Sequence, residues 1–372
     1  MNTTQELLAA GQSVWYDNIQ RSLLKNGEMA GMIARGEIYG VTSNPSIFMH
    51  AITKSPDYDA SLLPLVGSKL SDEEIFFKLA IADIQAAADL FQPLYQAGRG
   101  SDGYVSLEVS PYLANDTEAT ILQAEKLWKT VNRPNLMIKI PATKAGIPAI
   151  VKAIAAGINV NVTLIFSRQR YAAVMDAYLK GLEQRVSAGL PLDSIASVAS
   201  FFVSRVDSNI DPRLQKIVDG GQAKAQKASD LLGKAAIANA RLAYEDFKQV
   251  FSSKRFQQLK AKGARLQRPL WASTSTKNPA YRDVMYVEEL IGPDTVNTIP
   301  PQTLTAFLEH GKVRASLEEN LEGARSVFTG LESLGISMKE VTDQLEVEGV
   351  KSFSDSFAVL LEAIQKRLHE AG

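Results

Sequence analysis

Short apolar runs of period two alternate along this chain with longer stretches whose apolar positions recur every three or four residues. The first pattern suits a strand and the second an amphipathic helix. Strands are predicted at Ser13–Asp17, Ile38–Thr42, Gly103–Val109, Leu136–Ile140, Asn159–Phe166, Ile195–Val203, Pro269–Ser273 and Thr295–Ile299. Helices are predicted over Asp116–Val131, Gly146–Ala156, Ser167–Ala188 and Pro301–His310. Ser71-Asp72-Glu73-Glu74 reads as a capping box that opens another, running to about Gln96. Repeated strand–helix units imply parallel strands joined by helical crossovers. Eight such strands point to an α/β fold, a closed (β/α)8 TIM barrel. The competing open Rossmann or flavodoxin-like sheet lacks support, because no strand is followed by G-x-G-x-x-G.

Two segments exceed a minimal barrel. Arg213–Lys262 is rich in Ala, Lys and Gln at helical spacing and predicts two or three extra helices between the sixth and seventh strands. The tail Glu318–His369 is also helical, with candidate capping boxes at Ser337-Met338-Lys339-Glu340 and Ser352-Phe353-Ser354-Asp355. Asp102-Gly103 and Gly220-Gly221 read as turns. Residues 1–372 are read as one domain, with the insertion at about 213–262 and the tail at about 318–369.

Barrel strands are packed on both faces and should be almost wholly apolar. Several here are not. Asn159, Asn161 and Thr163 share one face of their strand, opposite Val160, Val162 and Leu164. Ser106 and Glu108 lie opposite Val105, Leu107 and Val109, and Lys139 lies opposite Leu136, Ile138 and Ile140. Period two fixes these faces. If the apolar faces meet the helices, the polar ones point into the barrel, towards the end where barrel enzymes keep their active sites. The bland alternative is an antiparallel sheet with a solvated face, which consecutive strands joined by helices disfavour.

Composition narrows the chemistry. With 40 Lys plus Arg against 41 Asp plus Glu, the net charge is −1, so no basic excess points to nucleic acid or to an anionic membrane. There is no cysteine, which excludes disulfides, thiolate catalysis and Cys-ligated metals. The three histidines, His50, His310 and His369, fall outside the predicted strand ends, which argues against a Ser-His-Asp triad or a His-rich metal site. The N-terminus lacks the pattern of a signal peptide. No apolar run reaches the roughly eighteen residues of a membrane span, so a cytoplasmic location is expected. Proton transfer should then fall to carboxylates, a lysine or a bound water.

A lysine inside a barrel has a chemical use. Burial favours the neutral amine, which can attack a carbonyl and form an imine. Once protonated, the imine takes up the charge left when a neighbouring carbon–carbon bond breaks. Glu108 and Asp17, at the ends of nearby strands, could move the protons. Taken alone, Lys139 would more often be an ordinary edge-strand lysine.

The same segments resemble the transaldolase family, and in particular its longer bacterial and plant-type branch. The resemblance runs from about Ser13 to Gly311. It rests on Trp15-Tyr16-Asp17-Asn18, Gly40-Val41-Thr42-Ser43-Asn44-Pro45-Ser46, Ser106-Leu107-Glu108-Val109 and Met137-Ile138-Lys139-Ile140-Pro141-Ala142-Thr143. It continues in Gly157 to Ser167, Ser200 to Asp207 and Leu270-Trp271-Ala272-Ser273-Thr274.

The resemblance implies roles position by position. Lys139 is the Schiff-base lysine and Asp17 the acid/base beside the cleaved bond. Glu108 and Thr163 hold a catalytic water. Asn44, Asn161 and Ser200 bind the hydroxyls of a dihydroxyacetone unit, and Phe202 lines the substrate site. Arg205 and Ser273 belong to a phosphate site. Shorter relatives carry an arginine where Ser275 stands, and Lys277 matches the lysine that the longer branch has slightly later. Lys277 is expected to act as a point charge on the phosphate, its bland reading being a solvated lysine.

The implied reaction belongs to the pentose phosphate pathway. It transfers dihydroxyacetone from sedoheptulose 7-phosphate to glyceraldehyde 3-phosphate, giving erythrose 4-phosphate and fructose 6-phosphate. An imine already supplies the electron sink, so neither metal nor organic cofactor is expected. The partners are then sugar phosphates, with no nucleic acid or membrane and with room for a homo-oligomer. Two alternatives stand beside it. One is a fructose 6-phosphate aldolase, whose members carry glutamine in place of Glu108 and a tyrosine near Phe202. The other is a non-catalytic barrel that only binds sugar phosphates.

Overall fold

The computed structural model describes residues 1–221 and 223–371. Eight parallel strands close into a barrel in sequence order. They are β1 Gln12–Tyr16, β2 Gly40–Val41, β3 Val105–Glu108, β4 Leu136–Pro141, β5 Val160–Ile165, β6 Ser197–Phe202, β7 Gln267–Ala272 and β8 Thr295–Ile299. Pairing of β1 with β8 completes the ring. The (β/α)8 barrel expected from the alternating pattern is therefore the fold.

The sequence signals act where they stand. Ser71 accepts a hydrogen bond from the Glu74 N–H, and the Glu74 carboxylate accepts one from the Ser71 N–H. This box caps the Asp72–Ala97 helix. Asp116 and Ser167 cap the Thr117–Val131 and Arg168–Ser187 helices through their side chains. Each cap satisfies a backbone donor that a helix start leaves unpaired.

Three expectations need correction. Ser352 does not open a helix, because it lies inside the continuous Met338–Ala371 helix. Asp355 pairs instead with Lys351 one turn earlier. Ser337 does accept from the Glu340 N–H at the start of that helix. The second strand is only two residues long, Gly40–Val41, since the chain turns at once into the segment Thr42–Asn44 that enters the site. The insertion starts earlier than Arg213: the helices between β6 and β7 are Ser204–Asp219, Ala225–Ser229, Ala235–Ser252 and Lys254–Lys260.

The helices beyond β8 wrap the barrel. Leu321–Ser333 packs on Ala235–Ser252. The terminal Met338–Ala371 helix packs on Pro45–Lys54, Asp72–Ala97 and Ser204–Asp219, and reaches β5. Phe357 anchors it edge-on against Phe76 and Tyr112, at 5.2 and 5.3 Å between ring centroids. Gly349 lets its backbone approach the barrel: a Cβ there would lie 3.1 Å from Leu164 and 3.3 Å from Phe166. Among the described residues no helix is long and apolar enough to cross a membrane.

A second close approach fixes the strand that carries Lys139. Gly146, the first residue of the Gly146–Ala156 helix, lies so near Pro141 that a Cβ would sit 1.9 Å from the Pro141 carbonyl oxygen. Gly146→Ala must displace the end of β4. We expect a loss of about 1–3 kcal/mol, the usual range for overpacking, measured by denaturant unfolding. An unchanged midpoint would show that this junction gives way freely.

Candidate active site

The polar strand faces meet inside the barrel at its C-terminal end. Glu108, Lys139 and Asn161 are lateral neighbours in the register of β3, β4 and β5. The side chain of Asn161 donates to Ser106 Oγ at 3.1 Å, although β4 lies between their strands. Only inward-facing side chains can meet across that gap. Ser200 Oγ on β6 donates to Asn161 Oδ1 at 2.7 Å and extends the interior network.

Lys139 is 5 % exposed and Glu108 7 % exposed, so their charges are held out of water. The Lys139 ammonium donates to the Ser43 carbonyl at 2.9 Å and lies 3.5 Å from Glu108 Oε2. The second distance makes an ion pair but no hydrogen bond. Among the described residues, Glu108 Oε2 and Thr163 Oγ1 are both buried without a hydrogen-bond partner. Buried polar atoms of this kind are rare and call for a missing partner, such as a water. Burial pushes the Glu108 carboxyl up to about 7, against the pull of Lys139, and the charge of Asp17 adds to the rise.

Asp17 stands just past β1, where it accepts from Thr42 Oγ1 at 2.7 Å. Thr42 Oγ1 also meets Thr298 Oγ1 on β8. Burial raises the Asp17 pKa, while Lys139, the Thr42 hydroxyl and Lys277 draw it down. Asp17 and Glu108 thus each feel the Lys139 charge, and the three side chains form one electrostatic group.

Asn44 lies at the rim with a structural task of its own. Its Oδ1 caps the Pro45–Lys54 helix by accepting from the Ile47 N–H at 2.9 Å, which leaves the amide protons free to donate. Phe202 ends β6 between two partners: its ring lies 5.1 Å from that of Phe166, and the Arg205 guanidinium sits 5.2 Å over it. Burial lowers the Arg205 pKa. Ser273 follows β7 with φ +56°, a conformation unfavourable for a residue other than glycine. It is held there by Ser204, whose Oγ lies 3.0 Å from Ser273 Oγ. Lys277 is exposed at the rim and donates to Ser275 Oγ at 2.6 Å. Partial desolvation of its ammonium and the Arg205 charge lower its pKa, and Asp17 opposes them. The predicted residues therefore fall into two groups: a buried set around Lys139 and a cationic rim of Arg205, Ser273 and Lys277.

Thr42, Ser43, Ser106 and Thr298 also belong to the site, though the sequence reading gave them no role. The first three stood inside the quoted motifs. Thr298 had no signal beyond a polar position in the strand Thr295–Ile299. The alternation on β5 ends earlier than expected, because Leu164 takes φ +59° in an irregularity of pairing with β6. Such a bulge re-aims the chain just after Thr163. Among the described residues, no three His, Cys, Asp or Glu side chains are grouped to hold a metal ion.

A cleft of about 290 Å³ opens at the opposite end of the barrel, lined by Arg99, Arg265 and Arg268. The side chains of Arg265 and Arg268 are tied there to backbone carbonyls, Ser13 and Asp102. Converging interior chemistry marks the Lys139 end as the site.

Comparison with known proteins gives the family. Proteins named transaldolase from a Parafrankia species and from Thermobifida fusca are each 50% identical to this chain, covering 98% of both partners. One from Trichodesmium erythraeum is 45% identical over 99% of this chain and 98% of its own length. The sequence matches the Transaldolase/Fructose-6-phosphate aldolase family over residues 14–364. With the barrel, the interior lysine and these relatives together, the chain belongs to the transaldolase/fructose-6-phosphate aldolase family.

Proposed function

We propose that this protein is a cytoplasmic transaldolase that moves a dihydroxyacetone unit between sugar phosphates through a Schiff base on Lys139. The observation that carries the reading is the enclosed Lys139 amine beside a carboxyl group whose pKa is pushed up to about 7. Catalytic groups need pKa values near the working pH, and burial achieves that here.

In the proposed mechanism, neutral Lys139 Nζ adds to the C2 carbonyl of sedoheptulose 7-phosphate. Loss of water gives the imine. Asp17 takes the proton of the C4 hydroxyl, the C3–C4 bond breaks, and its electron pair moves into the protonated imine as an enamine. Erythrose 4-phosphate leaves. The enamine carbon adds to the aldehyde of glyceraldehyde 3-phosphate, Asp17 returns the proton to the new hydroxyl, and water hydrolyses the imine to free fructose 6-phosphate. The unpartnered oxygens of Glu108 and Thr163 suit that water. Asn44, Asn161 and Ser200 hold the hydroxyls of the three-carbon unit. Phe202 walls the site, while Arg205, Ser273 and Lys277 take the phosphate. The chemistry calls for neither metal nor organic cofactor, since the imine is the electron sink.

Borohydride in the presence of fructose 6-phosphate should leave a stable adduct on Lys139, mapped by peptide mass spectrometry, and none in Lys139→Ala. Asp17→Ala should still be trapped while turnover falls by about 10²–10⁴, the usual share of a general acid/base. An adduct that persists in Lys139→Ala would sink the mechanism.

Transfer rather than release is expected because Glu108 and Phe202 stand where aldolases of the family carry glutamine and tyrosine. Without an acceptor aldehyde, free dihydroxyacetone should form far more slowly than the transfer product does with one. Equal rates would assign the protein to the aldolase activity.

The pH profile tests Glu108. Its pKa is raised from 4.5 to about 7, so it is mostly protonated at pH 6 and mostly ionised at pH 8. If the carboxylate must accept a proton, kcat/KM should rise with pH through about 7. Glu108→Gln should lack that limb. Retention of the limb in the variant would assign it to another group.

A further inference from the structure

We propose that Asp207 and Asp211, with Tyr286 and Tyr281, are positioning residues that lock the two halves of the phosphate site together. The inference rests on the reading of Arg205, Ser273 and Lys277 as that site.

The cations come from different segments. Arg205 lies in the first turn of the Ser204–Asp219 helix, and Lys277 lies in the loop between β7 and β8. Neither belongs to a strand, so the barrel alone does not set the distance between them. Near the mouth, the Ser204 N–H donates to the Ser273 carbonyl at 3.0 Å and the hydroxyls of the same residues meet.

The back of the helix supplies the rest. Asp207 and Asp211 are one turn apart and share a face. Arg205 precedes Asp207 by two residues, about 200° around the helix axis. It therefore projects from the opposite side. Asp207 Oδ2 accepts from Tyr286 Oη at 2.9 Å, and Asp211 Oδ2 accepts from Tyr281 Oη at 2.7 Å. Both tyrosines belong to the segment that carries Lys277. The other carboxylate oxygens accept from the Ala236 N–H at 2.8 Å and the Gly233 N–H at 3.0 Å, respectively within and just ahead of the Ala235–Ser252 helix.

The seat for Tyr281 is built with care. Gly233 has φ +68°, and a Cβ there would lie 2.8 Å from the Tyr281 ring. The loop itself is clasped, because Thr276 Oγ1 donates to the carbonyls of Arg282 and Asp283 at 3.0 and 3.1 Å. Lys277 thus sits in a closed loop whose far side is fastened to the helix that presents Arg205.

Such a clamp is costly as mere structure. Asp207 is 1 % exposed and, among the described residues, has no cation among its hydrogen-bond partners, and burial with the neighbouring Asp211 pushes its pKa up to about 7. An apolar pair would hold the two segments at less expense. Directional hydrogen bonds fix spacing and angle, which matter for two cations that share one phosphate.

The test compares a phosphorylated with an unphosphorylated donor, fructose 6-phosphate and fructose, in Tyr281→Phe, Tyr286→Phe and Asp211→Ala. Each tyrosine variant should raise KM for fructose 6-phosphate by about 2- to 10-fold, the span expected for one lost hydrogen bond, and Asp211→Ala, which loses two, should raise it at least as much. Neither kcat nor kcat/KM for fructose should change. Asp211→Asn, which can still bond both partners, should stay near wild type. Equal losses on both donors would reduce the cluster to a structural role, and unchanged KM values would overturn the proposal outright. Arg205→Ala separates the two readings. If it fails to lower the preference for the phosphorylated donor, the phosphate site is misplaced. If it does lower it while the tyrosine variants do not, only the clamp fails.

Discussion

The structure is organised around one expensive act, the burial of the Lys139 and Glu108 side chains in the interior of a barrel. Moving an isolated ion of this kind into an apolar medium carries an idealised cost on the order of 20 kcal/mol. The protein offsets part of it with fixed dipoles. The Ser43 carbonyl receives the ammonium, and the chain Ser200–Asn161–Ser106 lines the same space with hydrogen bonds. These groups come from β3, β4, β5, β6 and the segment after β2, so they meet only if the barrel closes in the observed register. A slip of one residue in β4 would turn Lys139 outwards and put Ile138 or Ile140 in its place.

That dependence is why so much was legible in the sequence. A barrel strand has little use for Glu108, Lys139 or Asn161 unless its inner face does chemistry, and period two exposes the inner face directly. The strands and the major helices followed from the same pattern, with the capping box at Ser71. What failed was local and had local causes. The Ser352 motif meets the spacing of a capping box, but spacing cannot show that the chain before it is already helical. The irregularity at Leu164 comes from pairing with β6, a relation between distant segments. Thr298 contributes through its contact with Thr42, more than 250 residues away in sequence by the separation of 256. No window along the chain contains that information.

The buried set and the rim differ in how they are held. Lys139, Glu108 and Asn161 stand on paired strands, where backbone hydrogen bonds fix their spacing. Arg205 and Lys277 stand on a helix start and a loop, and their mutual geometry has to be made by side chains. Sequence patterning informs about the first kind of site much better than the second. The motif residues Asp207 and Ser204 were visible in the chain, but their partners Tyr286 and Ser273 could be assigned only from the folded arrangement.

The proposed enamine would need protection from water while it waits for a second substrate, and the packing of the terminal helix bears on that need. Exclusion of water strengthens every interaction inside a site and prevents premature protonation of a reactive intermediate. The Met338–Ala371 helix lies against β5 where Gly349 meets Leu164 and Phe166. It is tied to the Asn44-capped helix through Ser356 and Ser46, at 2.8 Å between hydroxyls. Phe166 in turn packs on Phe202, over which Arg205 sits. One apolar path therefore runs from the terminal helix through the bulged strand to the rim cation. The glycine that admits the helix, the strained Leu164 beside Thr163 and the aromatic pair form a single packing unit. A segment outside the minimal barrel is thereby packed against the strand that carries Asn161 and Thr163.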